Sequence, residues 1–399
     1  MAYSQYLMKR KIEDLFIFPF VLLGKIISKW VLNADSFEVL FIFPFYHTGG
    51  AEKVHLLIAN TFRNKKALIL FTRKSTDLRY LDAFKASGHQ IIDISKYTDN
   101  KLFYWNNLVF RGVVAGLINR QTNAPIVFNG QSNFGYKLSP WINNSIKQIE
   151  LIHAFCSFSW IRIPFISFYS NTIMISHYAI EEHKQQYSKL GIPEKEFLKI
   201  KYITNGIQIP SGLKRKERNS DSLKVLYVGR SSAEKRVNLI GRISKQLAIE
   251  NLDIKFSMVG DVQNEIDSSL QPYVHFYGAI NDEANLFKIY LEHDVLIMTS
   301  LHEGFPITIM EAMTAGCIIL STPVGDIPHH VKHGQNGFLF SSTEDESKII
   351  SESIMHLKHI QHDKILQQQI ANNNQQYAQK EFELSIFEQR YQSLFDQLK

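Results

Sequence analysis

Short apolar runs alternate with longer amphipathic stretches along most of the chain. A run too short for a helix, bounded by polar or Gly/Pro residues, reads as a buried strand. A stretch with apolar positions three and four residues apart reads as a helix. In the first half this predicts strands over 37–43, 67–71, 90–94, 126–128, 150–153 and 172–175, with helices over 50–61, 105–119 and 177–190. The alternation resumes with strands over 224–228, 253–259, 274–277, 294–299 and 317–321. Its helices fall over 237–250 and 282–291, and from Pro306 to a stop at Gly316. Strands alternating with helices argue for parallel sheets.

Between the halves lies 206–221, a polar run with Pro210, Gly212 and the basic cluster Lys214-Arg215-Lys216, which reads as a linker. At 399 residues the chain suits two domains better than one core. The expected division is 1–35, an N-terminal helix; 36–205, the first domain; 206–221, the linker; 222–380, the second domain; and 381–399, a last helix. In that helix Phe387, Tyr391, Leu394 and Leu398 recur at helical spacing.

The N-terminal segment carries Lys9-Arg10-Lys11 before an uninterrupted apolar run over 15–24. A spanning helix needs roughly 20 apolar residues, and Lys25 and Lys29 interrupt the extension. Three readings stay open: a helix on a membrane surface through residues 9–32 with Trp30 at headgroup level, a helix packed on its own domain, or a span.

Composition adds little about fold but constrains partners. The apolar fraction of 45% is that of a folded protein. A net charge of +6 favours an anionic partner, and no nucleic-acid motif is present. Two cysteines, Cys156 and Cys317, make no disulfide framework and suit a reducing compartment.

The chemistry concentrates in a few strand-end segments. Glu303 and Glu311, with seven residues between them, straddle a strand, a Gly/Pro loop and a helix start. Glu303 falls in the loop and Glu311 more than one turn into the helix. The amides around Gly304, Phe305, Ile307 and Thr308 form an anion site at the helix N-terminus. A carboxylate at Glu311 suits a neutral diol. Gly49-Gly50 opens the first helix after the first strand, where backbone amides approach a phosphate. Gly229-Arg230 and Lys235 supply cations after another strand, and His153 ends a third.

In this order and spacing the chain resembles the retaining GT-B glycosyltransferases of family four, whose signature is the Glu-x7-Glu segment. The resemblance runs from about Gly49 to Gly337. It implies an α/β fold of two Rossmann-like domains facing each other across a cleft, with a C-terminal helix that can cross back to the first domain. It places Glu303 by the donor sugar and Glu311 on the ribose. It gives Arg230 and Lys235 to the diphosphate and His153 to the sugar, so that Glu303, His153, Arg230 and Lys235 are the expected catalytic residues. Gly49, Gly50, Gly304, Phe305, Ile307, Thr308 and Glu311 are the expected donor-binding residues.

It implies transfer of a sugar from a nucleotide-diphosphate sugar to a glycan or polyprenyl- or lipid-linked acceptor, in cell-envelope polysaccharide or lipopolysaccharide synthesis. No cofactor or metal is expected, consistent with the lack of an Asp-x-Asp in the sequence. The expected location is cytoplasmic, at the inner face of the cytoplasmic membrane. Two departures stand out: the family's glycine after the lysine is Arg236, and its Gly-Gly-x-Pro-Glu turn is Gly325-Asp326-Ile327-Pro328-His329. The alternatives are a non-catalytic partner in a glycan-assembly complex and a sugar-nucleotide epimerase.

Overall fold

The computed structural model describes residues 2–47, 49–100, 102–209, 222–280 and 282–398. The chain divides into two compact units: Met1–Thr204 with Phe387–Lys399, and Asn205–Ile386. Most of the expected linker, 210–221, lies outside the described residues.

In the first unit the strands are β1 Val39–Phe43, β2 Ala67–Phe71, β3 Gln90–Asp93, β4 Ile126–Asn129, β5 Gln148–Ile152, β6 Asn171–Met174 and β7 Ile200–Tyr202. Its longer helices are α1 Tyr3–Val31, α2 Gly50–Thr61, α3 Tyr104–Asn119 and α4 His177–Leu190. The strands pair in parallel in the order β3-β2-β1-β4-β5-β6-β7. Every residue of β1 is buried, as a strand covered on both faces must be. Leu40 and Ile42 point into a cluster with Val113 and Val114 of α3. Phe41 and Phe43 point the other way, into an aromatic layer with Phe62 and Phe128.

In the second unit the strands are β8 Leu223–Val228, β9 Ile254–Val259, β10 Val274–Gly278, β11 Val295–Met298, β12 Ile318–Ser321 and β13 Gly337–Leu339. The longer helices are α5 Val237–Ile249, α6 Glu283–Leu291, α7 Ile307–Thr314, α8 Glu346–His362 and α9 Lys364–Glu381. The order is β10-β9-β8-β11-β12-β13, again parallel throughout. Each unit is thus a doubly covered parallel sheet, as expected for two Rossmann-like α/β domains. The last helix, α10 Leu384–Asp396, carries the chain back into the first unit. There Phe395 packs at 4.3 Å from Phe62 and Gln392 donates to the Thr61 carbonyl.

The edge strands β7 and β13 were not expected. Ile200-Lys201-Tyr202 offers no apolar run, and Gly337-Phe338-Leu339 is too short to stand out. The final helix begins at Leu384 rather than 381, and the first spans Tyr3–Val31 within the expected 1–35.

The N-terminal helix packs on its own domain, and small residues are the reason. Gly24 of α1 faces Gly112 of α3, so close that a Cβ on Gly24 would lie 2.8 Å from Val113 N. Gly116 and Ser28 continue the contact one turn on. Arg120 then caps the end of α1, its guanidinium donating to Ser28 Oγ and to the Leu32 carbonyl at 2.6 and 3.1 Å. The opposite face of α1 is apolar and exposed: Met8, Ile12, Leu15, Phe16, Ile26 and Trp30, the last at 78%. Among the described residues no helix is long and apolar enough to cross a membrane.

Candidate active site

In the second unit the site residues collect where β8 and β11 end. Thr299 and Ser300 leave β11 fully buried, and the loop then turns at Gly304 before α7 begins. Pro306 sits at the N-cap, one place earlier than expected, where its fixed φ suits the turn. The helix stops at Ala315. Gly316 takes φ +76°, and Cys317 N donates to the Ala312 carbonyl, closing a Schellman motif.

Lys235 Nζ donates to Glu303 Oε1 at 2.6 Å, with the two side chains only 19% and 9% exposed. The loop carrying Lys235 is stitched to the end of β11. Thr299 Oγ1 donates to the Lys235 carbonyl, Arg236 Nε donates to the Thr299 carbonyl at 2.7 Å, and Leu301 N donates to the Glu234 carbonyl. Arg236 stands where the related pattern has glycine, and it takes φ +49°, the left-handed conformation that glycine adopts at no cost. The hydrogen bond to Thr299 offsets that cost, so the turn survives the substitution. Arg230 follows β8 and is exposed.

Glu311 is tethered from below. Tyr290, fully buried on α6, donates its hydroxyl to Glu311 Oε2 at 3.0 Å. Burial, then the Glu311 charge, holds the Tyr290 pKa well above its ordinary value, so this group is always a donor. One carboxylate oxygen is therefore fixed in place. Phe305 is buried and stacks on His330 at 3.9 Å, so its side chain packs the loop, leaving its backbone amide for a ligand. Ile307 and Thr308 are half-buried in the first turn of α7, whose amides have no intrahelical acceptor.

The loop at Gly325, given no catalytic role from the sequence, braces this site. Asp326 N donates to the Gly304 carbonyl at 2.8 Å. Gly325 has φ +56°, and a Cβ there would overlap the carbonyls of Glu303 and Gly304. Asp326 accepts from His330, whose other ring nitrogen meets Tyr377 Oη at 2.8 Å.

In the first unit His153 follows β5, and its Nε2 lies 3.0 Å from Nε2 of His55 on α2. His55 is fully buried and stacks on Phe43 at 4.3 Å. Burial lowers the His153 pKa to about 4, and burial, then the His153 charge, lowers that of His55 well below its ordinary value. Both rings are neutral near pH 7 and share one proton in their contact. His153 is thus a neutral hydrogen-bonding group paired with His55. Its backbone N–H donates to Gln131 Oε1, which joins the loops after β4 and β5.

At the start of α2, Glu52 folds back over Gly49, so that a Cβ on Gly49 would collide with the carboxylate. Burial raises the Glu52 pKa, and His47 Nε2 stands 3.7 Å away. The space beside Gly49 therefore holds the chain's own carboxylate, while Gly50 is open. His55 and Tyr290 were missed from sequence. Only Tyr290 left a signal, as a polar tip in an otherwise apolar helix face.

Residues 211–377 match the family model described as glycosyl transferases group 1. An uncharacterised glycosyltransferase of Methanocaldococcus jannaschii is 29% identical over 157 residues, 35% of this chain and 40% of that protein. The chain therefore aligns with less than half the length of that relative. The O-antigen biosynthesis glycosyltransferase WbnH of Escherichia coli is 25% identical over 314 residues, 75% of this chain and 84% of that protein. Among solved structures, Anabaena HepE in complex with UDP superposes with a TM-score of 0.69 at 18% identity, covering 90% of this chain and 100% of that one. Together these likenesses support a GT-B glycosyltransferase.

Proposed function

We propose that the chain moves a sugar from a nucleotide-diphosphate sugar to a glycan or lipid-linked acceptor, with retention of configuration at the anomeric carbon. The observation that carries this reading is the Lys235–Glu303 pair at the end of β11, beside a helix whose Glu311 is fixed by Tyr290. The UDP bound to a structural neighbour and the O-antigen role of a relative support a nucleotide donor and an envelope glycan acceptor.

The chemistry follows from the side chains. As the bond from the anomeric carbon to the diphosphate breaks, negative charge grows on the leaving oxygen. A lysine ammonium has three donors; Glu303 accepts from one, and the diphosphate takes the others. Arg230 and the first-turn amides of α7 add further donors. Preorganised donors of this kind lower a barrier by several kcal/mol. No metal is required in this scheme. Glu303, held by Lys235, orients the sugar while the acceptor hydroxyl attacks from the leaving group's face. Retention rests on the resemblance of the Glu-x7-Glu segment.

The apolar outer face of α1 supports peripheral contact at the inner face of the cytoplasmic membrane, where a lipid-linked acceptor is presented.

The test is nucleotide release from a panel of UDP-, GDP- and ADP-sugars, with E311A, R230A and K235A alongside. Release from one donor, lost in E311A, is expected. Near-normal turnover in both R230A and K235A would sink the charge assignment. No release and no nucleotide-induced stabilisation would move the reading to a non-catalytic partner.

A further inference from the structure

A cavity of about 510 Å³ opens in the first unit between α1, α3 and residues 160–165. Four cations line it, Lys9, Arg10, Arg111 and Lys137, against two carboxylates, Glu13 and Asp14. The carboxylates leave the cations poorly matched. Arg10 Nε is 3.9 Å from Asp14 Oδ2, and this buried nitrogen makes no hydrogen bond. Lys9 and Glu13 are equally far apart, at 3.9 Å. Arg111, only 4% exposed, bonds to neutral oxygens, Asn107 Oδ1 and Tyr104 Oη, at 3.1 and 3.0 Å. Lys137 Nζ donates to the same Tyr104 hydroxyl at 3.1 Å. Two cations that share one neutral oxygen make a strong field for an anion.

Ile17, Leu108, Trp160 and Phe165 make an apolar part of the wall, and Asn133 and Tyr6 add polar groups. The cavity's own helix carries the exposed apolar stripe of Met8, Ile12, Leu15 and Phe16. The start of α3 adds exposed Tyr104 and Trp105. A smaller cavity of about 290 Å³ shares Tyr104, Asn133 and Lys137 and reaches Thr72 and Arg73 beyond β2. Space therefore runs from α1 to the carboxyl end of the sheet.

From this placement we infer that the cavity holds the phosphorylated head of a membrane lipid, its chains in the bilayer beside α1. Arg10, Arg111 and Lys137 contact the phosphate, and the smaller cavity accommodates a sugar joined to it. The inference rests on the membrane-facing reading of α1 but not on sugar transfer.

The experiment is co-sedimentation of the full chain with phosphatidylcholine vesicles, with and without phosphatidic acid. Two double variants remove the same charge: R10Q with K137Q inside the cavity, and K11Q with K29Q on the same helix outside it. The wild type is expected to prefer anionic vesicles by roughly tenfold or more. The cavity variant loses that preference yet still binds neutral vesicles, and the outside variant keeps most of it. Equal losses in both variants would overturn the cavity, since diffuse attraction to basic residues would then explain the binding. Pyrophosphate that binds through Arg10 and Lys137 and abolishes the vesicle preference at low concentration would also overturn it, by assigning the site to a soluble anion. Failure to bind any vesicle sinks the membrane-facing reading itself. Circular dichroism of both variants, unchanged from wild type, confirms that folding is not the cause.

Discussion

Replacing Gly112 by valine puts a side chain where two helices meet backbone to backbone. An added Cβ there would lie 2.8 Å from the Val21 carbonyl carbon and 2.9 Å from Gly24 Cα, and nearer still to the Val21 oxygen. Carbon atoms rest at about 3.5–4.0 Å, so α1 and α3 must part by about 1 Å. The obstacle is main chain on both sides, and no rotamer change relieves it. Overpacking a well-filled site costs about 1–3 kcal/mol, and a backbone obstacle belongs at the upper end. Separation also exposes Val21 and Ser28, each nearly fully buried, and weakens the Arg120 cap at the end of α1. For a unit of this size a 3 kcal/mol loss lowers the melting temperature by roughly 6–12 °C. Calorimetry reads that shift, and trypsin reads the release of α1 at Lys25 and Lys29. G24V is expected to match G112V, because the same contact is broken from the other side. G50A is the control, since a Cβ there meets nothing within 4 Å. G112V with a melting temperature within about 1 °C of wild type and unchanged trypsin cleavage would refute the reasoning.

Y290F removes the donor that fixes Glu311 Oε2; nucleotide affinity is expected to fall roughly ten- to a hundredfold, the worth of one hydrogen bond to a charged group, with turnover at saturation little changed. Titration of the nucleotide measures this, and equal affinity would rule the tether out. At Arg236, both R236G and R236A lose the bond to Thr299, but only alanine keeps the left-handed strain, so the glycine variant should be the more stable by about 1 kcal/mol. Equal unfolding midpoints would discard that account. Burial, then the Arg162 charge, lowers the His183 pKa to about 3, and burial, then the His333 charge, lowers that of His356 to about 4. Both are neutral when folded and take a proton on unfolding below about pH 6.5, so stability is full above that pH and falls toward pH 4. Each contributes about 1.4 kcal/mol per pH unit. Urea titrations at pH 7 and pH 5 check this in H183N and H356N, whose pH slope should be shallower than wild type; identical slopes would contradict the buried neutral state.

What the sequence determined by itself is local. Period and run length gave the alternation of strands and helices, because a strand buried on both faces must be apolar throughout and a covering helix must be apolar on one side. The ends of β8, β11 and β5 followed from the same pattern, and with them the positions of Arg230, Glu303 and His153. Glycine at 316 and proline at 306 marked the limits of α7, since their backbone constraints act within a few residues.

The tertiary structure decided which of these groups have partners. Lys235 meets Glu303 across 68 positions, and His153 meets His55 across 98. No periodicity encodes such pairings, because they depend on the order in which strands lie in the sheet. The fold also chose which face of α1 turns inward. Over 15–24 its residues are apolar all round, so composition there named no side. The inward face was selected by Gly24 and Ser28, the residues small enough to let the backbone reach Gly112 and Gly116.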